Sequence, residues 1–134
     1  MVAPVLLVDD DEALRTALKE FLELDGFVVL TAGDGQEALD VLRSGELPAL
    51  ILLDFMMPVM NGSQFLAVKR RDPRLCDIPV VILSAWTREW PGQAMGVEHV
   101  LAKPINPERL VAVMNRYCER TPLESPPRTQ GRLP

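Results

Sequence analysis

Two runs of four apolar residues end abruptly in acid: Val5-Leu6-Leu7-Val8 stops at Asp9-Asp10-Asp11, and Leu50-Ile51-Leu52-Leu53 stops at Asp54. Neither run alternates with polar residues. A short, unbroken apolar run reads as a strand buried on both faces, the signature of a central strand in a parallel sheet. The first strand is expected at about Pro4–Val8 and the third at Leu50–Leu53. Val80–Leu83, a β-branched run after Pro79, reads as a fourth. Phe27–Leu30 and His99–Ala102 are expected as the second and fifth.

Between the strands the apolar period changes to that of a helix. From about Asp11 to Leu24, the residues Leu14, Ala17, Leu18 and Phe21 recur at helical spacing, and Gly26 stands at the usual stop. Asp34 and Glu37 have the spacing of a capping box and open a second helix carrying Ala38, Leu39, Val41 and Leu42 until Gly45. Met57 to Gly62 reads as a loop from its Pro and Asn-Gly signals, followed by a helix from about Ser63 to Arg71. Asn106-Pro107 is an N-cap with proline in the first helical position, opening a last helix whose inner face is Leu110, Val113, Met114 and Tyr117. Only the segment between the fourth and fifth strands lacks a clear helix. Pro91 and Gly92 break it early and Gly96 stops it, leaving room for two turns at best.

Five alternations of strand and helix predict an α/β fold with a parallel sheet, helices on both faces and right-handed crossovers. Five strands favour the flavodoxin-like order 2-1-3-4-5, a (βα)5 three-layer sandwich with a shortened fourth helix. Its switch point lies between the first and third strands, the two that end in aspartate. Ligands of such sheets bind at the carboxyl ends of the strands, so the acids converge at one mouth. Like charges held that close repel, and the natural counter-charge is a hard divalent cation with oxygen ligands, Mg²⁺ before others.

Composition narrows the classes. The chain has 134 residues, 48% of them hydrophobic and 25% charged, with a formal net charge of −5. One domain is expected over residues 1–120, and the polar, Pro-rich stretch 121–134 is expected to be a disordered tail. The acidic balance argues against direct contact with nucleic acid. No apolar stretch approaches the roughly 20 residues that span a bilayer. Met1-Val2-Ala3-Pro4 lacks the basic region of a signal peptide, so a cytoplasmic location is expected. Cys76 and Cys118 are isolated and read as reduced thiols. His99, the single histidine, lacks partner motifs, and a structural role is expected for it.

Four features now stand at strand ends: Asp9 and Asp10, Asp54, Ser84, and Lys103-Pro104. Each alone is weak. Asp9 to Glu12 could merely favour a helix N-terminus, Asp54 cap a loop, Ser84 sit in a turn and Lys103 be solvated. In this order within a five-fold βα pattern, over about residues 4–120, the set resembles the receiver domain of two-component response regulators. That resemblance implies that Asp54 accepts a phosphoryl group from a phosphohistidine of a sensor histidine kinase or a histidine phosphotransfer protein. It also implies that Asp9, Asp10, Asp54 and the backbone carbonyl of Met56 hold Mg²⁺. Ser84 and Lys103 would bind the phosphoryl oxygens, and the bond before Pro104 would be cis. Such a domain signals to an unknown downstream protein by contact and is no independent turnover enzyme. With no effector domain following, a stand-alone receiver is expected.

Two positions depart from the family. Val100 stands where receivers usually carry an aromatic switch residue; valine is short and stiff at χ1 and cannot swing as a ring does. The segment from Ser84 to Lys103 is short by about one helical turn. Trp86 and Trp90 either report movement of the loop after Ser84 or fill the volume that the short helix leaves. Two other functions remain open: a pseudo-receiver scaffold that works without phosphate, and a phosphatase of the haloacid dehalogenase type, for which Asp9 and Asp11 would form the strand-end DxD.

Overall fold

Blocks of branched aliphatics with no polar interruption leave their backbone only one way to satisfy its hydrogen bonds away from water, which is to pair with other strands. In the computed structural model, which describes residues 3–45, 47–55, 57, 59–84 and 99–118, five such blocks form one parallel sheet. They are β1 (Val5–Val8), β2 (Val29–Ala32), β3 (Leu50–Asp54), β4 (Val80–Ser84) and β5 (His99–Ala102), in the order β2-β1-β3-β4-β5. Val5 pairs with Val29 on one side and Leu50 on the other; Ile51 pairs with Val80, and Ser84 with Ala102. The predicted class and strand order are both observed, with β1 and β3 adjacent at the centre.

Alternate residues of each strand face opposite layers, as the period of two requires. Leu6, Val8, Ile51, Leu53, Val80 and Ile82 pack against α2 (Gly35–Ser44) and α3 (Gly62–Arg71) through Ala38, Leu39, Leu42, Phe65 and Leu66. Val5, Leu7, Leu50, Leu52, Val81 and Leu83 pack against α1 (Glu12–Leu24) and α4 (Pro107–Tyr117) through Leu18, Leu22, Leu110, Val113 and Met114. Every residue of β1, β3 and β4 is buried, as two-sided burial demands.

Local chemistry sets the helix starts. Asp11, Asp34, Asn61 and Asn106 each accept a hydrogen bond from a backbone N–H of the first turn. Asn61 forms a full capping box with Gln64, a start concealed in sequence by the Asn-Gly loop signal. Two expectations shift. β2 begins at Val29 rather than Phe27, because the Phe27 N–H donates to Leu22 O and closes the end of α1, while the Val28 carbonyl receives Val5 N–H. On α1 the inward line is Leu14, Leu18 and Leu22, so Leu14 and Leu18 pack as expected, whereas Ala17 is exposed and Phe21 is 37% exposed. The expected short helix between β4 and β5, with Trp86 and Trp90, and the tail 121–134 lie outside the described residues.

Candidate functional site

The carboxyl ends of β1, β3, β4 and β5 deliver the site. Asp9 follows β1 directly and is wholly buried; Asp54 is the last residue of β3 and is 5% exposed; Asp10 is exposed. One carboxylate oxygen from each of Asp9, Asp10 and Asp54 lies within 4.8 Å of the others. Residues 45 positions apart in the chain thus meet because β1 and β3 are hydrogen-bonded neighbours. Ser84 ends β4 and is 4% exposed, and its carbonyl receives the Lys103 N–H at 2.8 Å, which seats the β5 end beside the β4 end.

Lys103 brings the positive charge. Its ammonium donates to Asp9 Oδ2 at 3.1 Å and stands 3.5 Å from Asp54 Oδ1. Burial by itself would lower the lysine's affinity for its proton. The hydrogen bond and charge of Asp9, followed by those of Asp54, outweigh that, and the ammonium is held above its ordinary range. The Lys103–Pro104 peptide is cis, as the resemblance implied.

Asp9 is engaged at every polar atom. Its N–H donates to Ala32 O at 3.1 Å, Oδ1 accepts from Asp11 N–H at 2.9 Å, Oδ2 accepts from Lys103, and its carbonyl accepts from the Arg15 guanidinium. Arg15 was not among the residues that the sequence singled out; its only signal there is a cation inside an acidic first turn. Asp11 takes a different part. Its Oδ1 caps α1 through Leu14 N–H, and it is not in the carboxylate cluster. His99 begins β5, at the opposite end of that strand from Lys103. It lies edge-on to Tyr117 with centroids 6.2 Å apart and 3.4 Å from Arg116 Nη1, a structural setting. Met56 lies outside the described residues. Val100 is half-buried and packs on the face that carries α2 and α3.

The donor set fits a hard divalent ion. Three carboxylates offer only oxygen, two are buried and one is open to solvent, which suits a small cation that keeps part of its water shell.

A parallel α/β sheet with an acid pocket suited to a divalent ion and one lysine at its switch point marks the class of α/β proteins that carry their site at the strand ends. Residues 5–115 match the response regulator receiver domain, and the chain belongs to that family. It is 40% identical over 120 residues to the transcriptional regulatory protein CpxR of Escherichia coli K12, covering 87% of this chain and 50% of CpxR. The chain thus spans about half the length of that relative. A 14.6 kDa protein from Leptolyngbya boryana is 36% identical over 117 residues, covering 85% of this chain and 88% of its own. Among solved structures, chemotaxis protein CheY4 of Vibrio cholerae superposes with a TM-score of 0.78 at 34% identity, covering 87% of this chain and 99% of CheY4. The response regulator TrrA of Thermotoga maritima, solved in complex with Mg²⁺–BeF, gives 0.74 at 27% identity, over 85% and 97% of the two chains. Receiver domains are generally signalling modules rather than turnover enzymes.

Proposed function

We propose that this receiver accepts a phosphoryl group on Asp54 from a sensor histidine kinase or a histidine phosphotransfer protein, and signals by protein contact to a downstream partner. The observation that carries this is the convergence of Asp9, Asp10 and Asp54 within 4.8 Å, with Lys103 donating into the cluster. Phosphoryl transfer needs little from a protein beyond positioning and neutralising charge. A carboxylate oxygen of Asp54 attacks phosphorus. The O–P bond forms as the P–N bond of the donor imidazole breaks, and the imidazole leaves with the electron pair and takes a proton from water. Asp9, Asp10, Asp54 and the Met56 carbonyl would hold Mg²⁺, which would supply positive charge to the phosphoryl oxygens. Lys103, already ion-paired with Asp9 and Asp54, supplies a second positive group. Ser84, at the end of β4, donates its hydroxyl to a phosphoryl oxygen.

Incubation with acetyl phosphate and Mg²⁺, read by intact mass, tests the proposal. One labile phosphoryl adduct is expected, absent from Asp54→Ala. A protein that binds Mg²⁺ yet takes no adduct would turn the reading to the scaffold, for which Val100 in place of an aromatic switch residue is the favouring observation. Steady hydrolysis of generic phosphate esters would overturn both.

A further inference from the structure

We infer that Arg15 is a positioning residue for the acid pocket: it fixes the direction in which the chain leaves Asp9, and so where Asp10 carries its carboxylate. The inference rests on the metal-binding, phospho-accepting reading above. Asp9 lies beyond β1, which ends at Val8, and its carbonyl accepts from the Arg15 guanidinium, six residues on. The carbonyl of Asp9 and the nitrogen of Asp10 share one rigid peptide plane. Holding the oxygen therefore sets the plane, and the plane sets Asp10. With its N–H on Ala32, Oδ1 on Asp11 and Oδ2 on Lys103, Asp9 is immobile when Arg15 is in place. Without Arg15, only the Asp11 N–H bond to Asp9 Oδ1 still spans that plane, and the carbonyl itself is unheld.

The placement of Arg15 is otherwise unfavourable. It sits in the first turn of α1, its own N–H donating to Asp11 O at 2.9 Å. A cation there opposes the helix dipole. A local rule broken in this way is most often found where function requires it. The guanidinium also reaches the turn between β2 and α2: a Cβ built on Gly33 would stand 3.4 Å from Arg15 Nη1 and 3.3 Å from Glu37 Oε1. Glu37 Oε1 receives the Gly33 N–H at 2.7 Å. The Arg15 guanidinium thus lies close to a turn that is itself tied down, which limits the space open to it.

Charge and position make opposite predictions here. If Arg15 acted only as a nearby cation, its removal would deepen the negative potential and tighten Mg²⁺ binding. If it acts by position, removal weakens binding. Arg15→Met keeps the aliphatic stem and a good helix former while deleting the donor; Arg15→Lys keeps a donor and the charge. Mg²⁺ affinity by calorimetry, without phosphodonor, is the primary readout. Loss of groups that orient metal ligands typically weakens a site about tenfold or more, so Arg15→Met is expected to weaken Mg²⁺ binding about tenfold and Arg15→Lys to recover most of that. Phosphorylation by acetyl phosphate should slow in Arg15→Met at low Mg²⁺ and return close to the wild-type rate when Mg²⁺ saturates. Amide hydrogen exchange at Asp10 and Asp11 should quicken in metal-free Arg15→Met. Unchanged or tighter Mg²⁺ binding in Arg15→Met, or equal weakening in both variants, overturns the inference while leaving the phospho-accepting reading intact. A wild-type protein that binds no Mg²⁺ and takes no phosphoryl group overturns that reading, and this inference with it.

Discussion

Asp9 and Val59 show residues carrying opposite burdens. Asp9 is a carboxylate wholly out of solvent, tolerable because each of its polar atoms meets a partner. Val59 is 79% exposed, yet its backbone lies at φ 66°, the left-handed region that disfavours a β-branched side chain. That conformation costs a non-glycine residue about 1–2 kcal/mol. Asn tolerates the region better, so Val59→Asn is expected to stabilise the protein by about 1 kcal/mol and raise the thermal midpoint by a few degrees. A midpoint unchanged or lowered in a thermal melt would refute this. The two thiols differ as well: Cys76 is exposed, whereas burial pushes the Cys118 thiol up to about 11, so Cys118 stays protonated and inert near neutrality. Asp9, Asp10, Asp54, Ser84 and Lys103 were legible in the sequence because each stands where an apolar run stops. Arg15 and the buried Lys69, which donates to Cys76 O at 3.2 Å, were not: a basic residue on a helix gives no sign of which way its long side chain turns.

The elements that carry the site are held by burial and by caps. Leu52, in the middle of β3, is fully buried between α1 and α4 on its face of the sheet, and Leu52→Ala is expected to destabilise by about 3 kcal/mol through lost transfer energy and the cavity left behind. Chemical denaturation would measure it; a loss under about 1 kcal/mol would mean that the site collapses around the deletion. Asn61 is a smaller lever. It starts α3 through its capping box with Gln64, both hydrogen bonds at 2.9 Å, and Asn61→Ala should cost about 1 kcal/mol. The period of the pattern located all five strands and the four described helices. It misplaced the start of β2, because Phe27 and Val28 are as apolar as the strand they precede. Only the Phe27 N–H bond to Leu22 O, at the end of α1, marks that residue as turn rather than strand. It misjudged part of the inner face of α1, because Phe21 is apolar and yet lies on the surface, beside the 84% exposed Leu24.

Across the whole molecule, the acid pocket ties stability to solution conditions. A ligand that binds only the native state adds RT ln(1 + [L]/Kd), about 2.7 kcal/mol at a hundredfold excess over Kd. Mg²⁺ should therefore raise the thermal midpoint of the wild type and hardly move that of Asp54→Ala; a chelator should reverse the effect. Lys103 governs the alkaline side. Its folded-state pKa lies above the ordinary 10.5, so its contribution is complete below 10.5 and fades as pH climbs through the folded value. Thermal midpoints of the wild type and Lys103→Met should keep a constant gap between about pH 7 and pH 9 and converge above 10.5; a gap that closes near neutrality would contradict this. The strand order and the meeting of the acids could be read from alternation and strand-end position, but long-range seams could not. One such seam joins α2 to the loop after β3. Gly35 N–H donates to Met60 O at 3.0 Å, and a Cβ on Gly35 would fall 2.7 Å from that oxygen. The Gly35 amide is therefore a built-in spectroscopic listener. Its nuclear magnetic resonance should shift when Asp54, six residues before Met60, is modified, although Gly35 lies on another element.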